Sequence, residues 1–183
     1  MARLVLINGA PGSGKSTLAR MYAERHPMTL ALDIDVVRGM LGGWLEQPRR
    51  AGLIARSIAL EMARIQLEAG RDVLVPQFLG RVDFILELER LCRRAGAEFI
   101  ELALLSSPED AARRFARRSR HPETPEHRDA ALLRERSGGM GQLPALYGQL
   151  LEVVASRPDT RTVTTVAGDI DRTYLDLLAH IDP

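Results

Sequence analysis

Eight consecutive residues, Gly9-Ala10-Pro11-Gly12-Ser13-Gly14-Lys15-Ser16, carry the clearest chemistry in the chain. They satisfy the pattern G-x-x-x-x-G-K-[ST] at every fixed position. Glycine at 9, 12 and 14 opens backbone angles closed to other residues and leaves no Cβ to collide with a ligand. Successive N–H groups along such a path curl into an anion nest, and a helix beginning near Lys15 aims its positive end at the same point. Lys15 is the only lysine; of 25 basic residues the remaining 24 are arginine. A compact ammonium on a flexible stem reaches β- and γ-phosphates as a point charge, a task that a broad planar guanidinium fits poorly. The Ser16 hydroxyl is placed to ligate Mg²⁺. ATP with Mg²⁺ is thus the expected ligand pair, held by Gly9 through Ser16 together with Thr17.

In open parallel sheets, ligands bind at the carboxyl ends of the strands. That rule selects Asp33 and Asp35 after a second strand, Gln77 and Arg81 after a third, and Ser106 after a fourth. A helix starting at Asp35 puts Arg38 on the same side, three residues on. Phosphoryl transfer to an alcohol needs a carboxylate to take the hydroxyl proton and cations to spread charge, and Asp35 and Arg38 would supply both. The plainer reading makes Asp35 a helix cap and Arg38 a solvated charge. Asp33 has three readings: it holds Mg²⁺ through water, serves as the base in place of Asp35, or stabilises the turn. The third strand ends in Val75-Pro76-Gln77 without an acid, so either Asp33 substitutes or Ser16, phosphates and water hold the ion. Gln77 suits a neutral polar substrate or caps its loop, and Arg81 meets either substrate or solvent.

Arg113, Arg114, Arg117, Arg118 and Arg120 fall within eight residues. On a helix, 113 with 117 and 114 with 118 form i,i+4 pairs on adjacent faces. A pair closing over the γ-phosphate would stabilise transition-state charge, with Arg113 and Arg114 on the nucleotide and Arg117 catalytic beside Lys15 and Asp35. Otherwise the run is a solvated face.

These residues need elements to hold them. Arg3 to Asn8 reads as a buried strand, and Ser16 to Arg25 as a helix with Leu18, Met21 and Tyr22 on one side. Met28 to Leu32 reads as a second strand. After a break near Gly42-Gly43 and Pro48, a long helix runs from about Arg49 to Ala69. Asp72 to Val75, Glu98 to Leu105 and Arg161 to Val166 are further strands, with helices over Val82 to Ala95 and Asp171 to Ile181. Ser107 and Pro108 open the arginine-bearing helix, which runs into the proline-marked break at 121–125. A second break at Gly138-Gly139-Met140-Gly141 precedes a helix through Leu151. Strands alternating with helices imply an α/β fold whose parallel sheet is covered on both faces.

Composition narrows the rest. At 183 residues the chain reads as one domain, 1–183, with a core and a small lid near 108–140. No stretch approaches the ~18 apolar residues of a membrane helix, and a cytoplasmic location is expected. Cys92 is alone, which excludes an internal disulfide and a cysteine-rich metal site, and it reads as a core residue. A net charge of +1 and scattered aromatics give no case for nonspecific nucleic-acid binding. His26, His121, His127 and His180 lack metal-ligand spacing. Trp44 either walls an acceptor pocket or packs in the core, and the Gly168-Asp169-Ile170-Asp171 turn either borders an adenine or simply caps its helix.

Taken together, the motif at 9–16, Asp35-x-x-Arg38 after the second strand and the arginines from 113 to 120 make the chain resemble the nucleoside-monophosphate-kinase-like branch of phosphate-loop kinases. It looks especially like the small AAA-type kinases grouped with chloramphenicol phosphotransferase, gluconate kinase and zeta toxin. The resemblance implies a P-loop NTPase three-layer α/β/α sandwich, a five-stranded parallel sheet with a helical lid, and an aspartate at the position of Asp35 acting as base toward a substrate hydroxyl. The third-strand segment lacks the Asp-Gly-x-Pro-Arg motif of adenylate kinases, which argues against a nucleoside monophosphate acceptor, and no lid cysteines suggest zinc. The expected activity is ATP-dependent transfer to a small-molecule hydroxyl. A polynucleotide or RNA-end kinase and an ATP-binding sensor acting on a protein partner are the alternatives. Pocket shape depends on the segment from Gly39 to Leu53 and on the lid.

Overall fold

A computed structural model describes residues 1–106, 110, 113, 142–166 and 168–182. Five strands, β1 (Arg3–Gly9), β2 (Leu30–Ala31), β3 (Val73–Pro76), β4 (Glu98–Leu105) and β5 (Arg161–Thr164), form one sheet in the order β2-β3-β1-β4-β5. Every pairing is parallel, and β1 lies central with β3 and β4 at its sides. The described helices are α1 (Lys15–Arg25), α2 (Ile34–Gly39), α3 (Pro48–Glu68), α4 (Asp83–Ala95), α5 (Leu143–Ser156) and α6 (Ile170–Ile181).

Side chains alternate across a strand, and β1 shows the result. Leu4 and Leu6 join the core against α3 and α4, with Ala55, Ala59, Phe84 and Leu88. Val5 and Ile7 face the opposite layer, among Leu18, Tyr22 and Leu177 of α1 and α6. A strand buried on both faces needs an uninterrupted apolar run, which Leu4-Val5-Leu6-Ile7 provides. On α3 the inward positions Ala51, Ala55, Ala59 and Ala63 recur every four residues, so small side chains line its buried face.

Several boundaries move from the sequence expectation. β2 is confined to Leu30–Ala31 because Met28 takes a left-handed φ of 67° and stands exposed, so the chain turns there and cannot pair. Thr165 and Val166 leave β5, and Val166 instead bridges Asp169 at the turn into α6. α2 begins at Ile34 with Asp33 as its cap, one residue earlier than the expected start at Asp35. Cys92 is buried, as its place on the amphipathic α4 implies, and burial pushes its thiol up to about 12.

The two ends of the sheet are built differently. At the amino ends of the strands, Arg3 pairs with Asp72 at 2.9 Å and with Asp182, and it donates to the Tyr22 hydroxyl at 3.1 Å. At the carboxyl ends a single amide makes the tie. Asn8, 1% exposed, accepts from Gly9 N at 2.8 Å and Leu79 N at 2.9 Å through Oδ1, and donates from Nδ2 to Leu79 O at 3.0 Å. Gln77 N also donates to Ile7 O at 3.1 Å, which extends the ladder past β3. The segment carrying Gln77 is thereby fixed beside the glycine loop.

Replacing Asn8 with Ala strands these three backbone groups in a buried site, where an unpaired group costs free energy. Asn8→Ala should lower unfolding stability by roughly 3 kcal/mol. Urea denaturation checks this, and a loss under about 0.5 kcal/mol would show the clamp to be dispensable.

Candidate active site

The loop between β1 and α1 folds as its glycines require. Gly12 and Gly14 hold φ of 84° and 96°, the left-handed region, and Ser13 N donates back to Ala10 O at 3.1 Å. At Gly9 a Cβ would lie 2.8 Å from Ser13 Oγ, 3.1 Å from Leu104 Cβ and 3.2 Å from Leu104 O, so a side chain there would push against both the loop and β4. Gly14 caps α1 with no side-chain hydrogen bond, and the first turn carries no acid. The amino-terminal N–H groups of an 11-residue helix are thus left without side-chain acceptors. Lys15 is 9% exposed and its Nζ donates to Ala10 O at 3.0 Å, folded back over the loop. The Ser13 hydroxyl is buried without a hydrogen-bond partner among the described residues. Glycine cradle, uncapped helix, ammonium and orphaned hydroxyl fit a nucleotide's phosphates.

From this loop one carboxylate leads to the next site. Ser16 Oγ donates to Asp33 Oδ2 at 2.8 Å, and Asp35 N donates to Asp33 Oδ1 at 3.0 Å. Asp33 thus caps α2 and holds α1 with the same group. Burial, and then the charge of Asp35, push its carboxyl above the ordinary range, while the Ser16 hydroxyl, the Asp35 amide and Lys15 draw it back. A half-buried carboxylate, a serine hydroxyl at hydrogen-bond distance and the adjacent phosphate loop form an oxygen donor set that fits Mg²⁺.

Asp35 and Arg38 meet across one turn of α2, Arg38 Nη1 lying 3.0 Å from Asp35 Oδ1. The Arg38 guanidinium stacks 4.9 Å from the ring of Trp44, and its Nε is buried without a partner among the described residues. Trp44 is buried beneath that guanidinium and is not among the residues lining the neighbouring cleft, so of its two candidate roles the inward packing is the one seen. Beside this pair opens a cleft of about 360 Å³, lined by Asp35, Arg38, Gln77 and the α3 residues Arg49, Gly52 and Arg56. Gln77 Oε1 is buried and has no partner among the described residues.

Not every candidate gathers here. Arg81 is exposed and does not line the cleft. Thr17 is exposed on the first turn of α1. Arg113 is exposed and paired with Asp110 three residues before it, while Arg114, Arg117 and the remainder of the expected 108–140 lid lie outside the described residues. The Ser106 carbonyl accepts from the Tyr147 hydroxyl at 2.6 Å. In the turn before α6, Asp169 accepts from Arg172 N at 2.9 Å, and Ile170 Cδ1 lies 3.4 Å from where a Cβ on Gly14 would stand. That turn therefore borders the phosphate loop.

Arg49, Gly52, Arg56 and Asn8 were not singled out by the sequence. A signal existed for three of them: offsets of three and seven from Arg49 fall on one helix face, and Pro48 marks the first turn. Asn8 closes an apolar strand and nothing in its neighbours distinguishes it.

Among the described residues, no helix is long and apolar enough to cross a membrane, and no group of His, Cys, Asp and Glu gathers three strong to hold a metal.

A family model described as an AAA domain matches residues 4–138. No curated protein sequence matches the chain. Among solved structures, the APS kinase of Mycobacterium tuberculosis, in complex with AMPPNP and APS, superposes with a TM-score of 0.68 at 19% identity, covering 100% of this chain and 98% of that one. The tunicamycin resistance protein of Deinococcus radiodurans gives 0.63 at 15% identity, over 100% and 96%. A gluconokinase from Sinorhizobium meliloti 1021 gives 0.58 at 18%, over 97% and 90%. At such identities the likeness is one of fold. The parallel five-stranded sheet between helical layers, the glycine loop leading into α1 and the family match agree, and the chain belongs to the AAA domain family with the fold of the small P-loop kinases.

Proposed function

We propose that the protein is an ATP- and Mg²⁺-dependent kinase that transfers the γ-phosphate to a hydroxyl group of a small molecule. The observation that carries this reading is the Ser16–Asp33–Asp35 chain of hydrogen bonds, which joins the phosphate loop to a carboxylate on the wall of a separate cleft. A site that only bound or slowly hydrolysed nucleotide would have no need of that second cavity.

The residues divide the work. The loop amides and Lys15 hold the donor's phosphates, and the Ile170 turn borders its base. Ser16 and Asp33 are the groups that would hold Mg²⁺, which when bound offsets phosphate charge. Asp35, whose one oxygen pairs with Arg38, presents its carboxylate to the cleft, and it is the better base because both Asp33 oxygens already accept hydrogen bonds. The acceptor oxygen bonds to the γ-phosphorus, the bond from that phosphorus to the bridging oxygen of ADP breaks, and the hydroxyl proton passes to Asp35. Arg38 neutralises charge near the transferring group, and Gln77 offers its amide to the acceptor. In the lid, Arg113, Arg114 and Arg117 complete the donor side.

Incubation with ATP, Mg²⁺ and a metabolite mixture, followed by mass spectrometry, should yield a phosphorylated product. Asp35→Asn should reduce transfer by about 10²-fold or more while AMPPNP binds nearly as tightly as to the wild type. Undiminished transfer would remove Asp35 from the mechanism.

Asp33 gives a pH test. Its folded pKa lies above the ordinary value of 3.8, so the ionised form costs stability at neutral pH and that cost fades as pH falls toward the ordinary value. Asp33→Asn keeps an oxygen to cap α2 and should melt higher than the wild type at pH 7 in the absence of metal, with the gap closing in acid. Mg²⁺ with AMPPNP should then raise the melting temperature of the wild type more than that of the variant. Equal responses would place the ion elsewhere.

A further inference from the structure

The charge of the cleft is unbalanced. Three guanidinium groups, Arg38, Arg49 and Arg56, line it against one carboxylate, Asp35, and that carboxylate is already paired with Arg38. No described carboxylate lies within ion-pair distance of Arg49 or Arg56. The two sit seven residues apart on one face of α3, about 10 Å along the helix axis. Gly52 stands between them, and a Cβ there would meet nothing within 4 Å. An open bay is therefore flanked by two cations.

Arg56 is held in place by an aromatic contact. Its guanidinium lies 5.2 Å from the ring of buried Phe84, an arrangement that fixes the plane while leaving the N–H edge unspent. Arg38 is braced in the same way by Trp44 on the opposite wall. Arg56, braced through its face and without an ion partner among the described residues, is a preorganised donor for a planar or tetrahedral oxyanion, and exposed Arg49 flanks the same bay. A neutral polyol would leave both α3 arginines unmatched.

Building on the kinase reading above, we propose that the acceptor carries, besides its reactive hydroxyl, an oxyanion group, carboxylate or phosphate monoester, that binds Arg49 and Arg56 across the bay at Gly52. The α2 wall handles the hydroxyl at Asp35, and the α3 wall anchors the opposite end of the molecule. The arginines thereby select the acceptor and set the distance between its two functional groups.

Trp44 supplies a readout that needs no turnover, because it is the only tryptophan and lies under Arg38 at the cleft. With AMPPNP and Mg²⁺ occupying the phosphate loop, inorganic phosphate or acetate is titrated while Trp44 fluorescence is followed. A saturable change whose midpoint rises about 10-fold or more in both Arg49→Ala and Arg56→Ala is the expected result, consistent with loss of a charge-assisted hydrogen bond. The stronger of the two anions identifies the source. A flat trace to high millimolar anion, or the same midpoint in the variants, overturns the proposal.

Turnover with matched pairs, gluconate against glucitol and glycerol 3-phosphate against glycerol, supplies the second arm. The charged member should be preferred at least 10-fold in kcat/KM, with the preference erased in the two variants. Preference for the neutral member overturns the anion proposal and leaves the kinase reading standing. If none of the four is phosphorylated, the metabolite mixture decides the kinase reading, and the fluorescence titration decides whether the cleft binds an oxyanion.

Discussion

A half-buried carboxylate that ties the starts of two helices together governs the geometry of this protein. Asp33 receives Ser16 on one oxygen and the amide of Asp35 on the other, so the start of α1 and the start of α2 share one anchor. The position of Asp35 relative to the phosphate loop follows from that anchor, and the positions of Arg38 and Trp44 follow from Asp35. The energetic cost is visible in the raised pKa of the group, which burial and the neighbouring Asp35 both disfavour as an anion.

The opposite end of the sheet shows what the chain does where no ligand is expected. There Arg3 engages Asp72, Asp182 and Tyr22, and the buried phenol is pushed up to about 12. At the carboxyl ends Ser13 Oγ, Arg38 Nε and Gln77 Oε1 are buried without partners among the described residues. Buried polar atoms are normally paired; four others without partners among the described residues, on Gln66, Glu101, Thr160 and Tyr174, lie away from the loop and cleft, so these three matter through their position beside the phosphate loop and the cleft.

The phosphate loop was legible in the sequence because its backbone path admits few residues at Gly12 and Gly14, and the central strands because burial on both faces demands apolar runs. Asp33, Asp35, Arg38 and Gln77 were legible through the topological rule for parallel sheets, which needs only the strand ends. The short β2 was not, since Met28 to Leu32 reads as one strand and the left-handed turn at Met28 that trims its start is not written in the residue types. Arg49 and Arg56 were hidden for another reason. An arginine on a long helix is ordinarily solvated, and their shared place at the cleft emerges only when α3 packs against α2. Asn8 matters through contacts with Leu79, seventy-one residues away, a relation that no local pattern records.

One property of the loop has a practical side. Because Lys15 is the only lysine in the sequence, its ε-amine has no competitor among the side chains for reagents that acylate amines, apart from the chain's terminal amine. Its burial at 9% and its contact with Ala10 O shield that amine in the resting loop. The extent of acylation at a single residue therefore becomes a gauge of how open the nucleotide cradle is, and the chain carries that gauge without any engineered label.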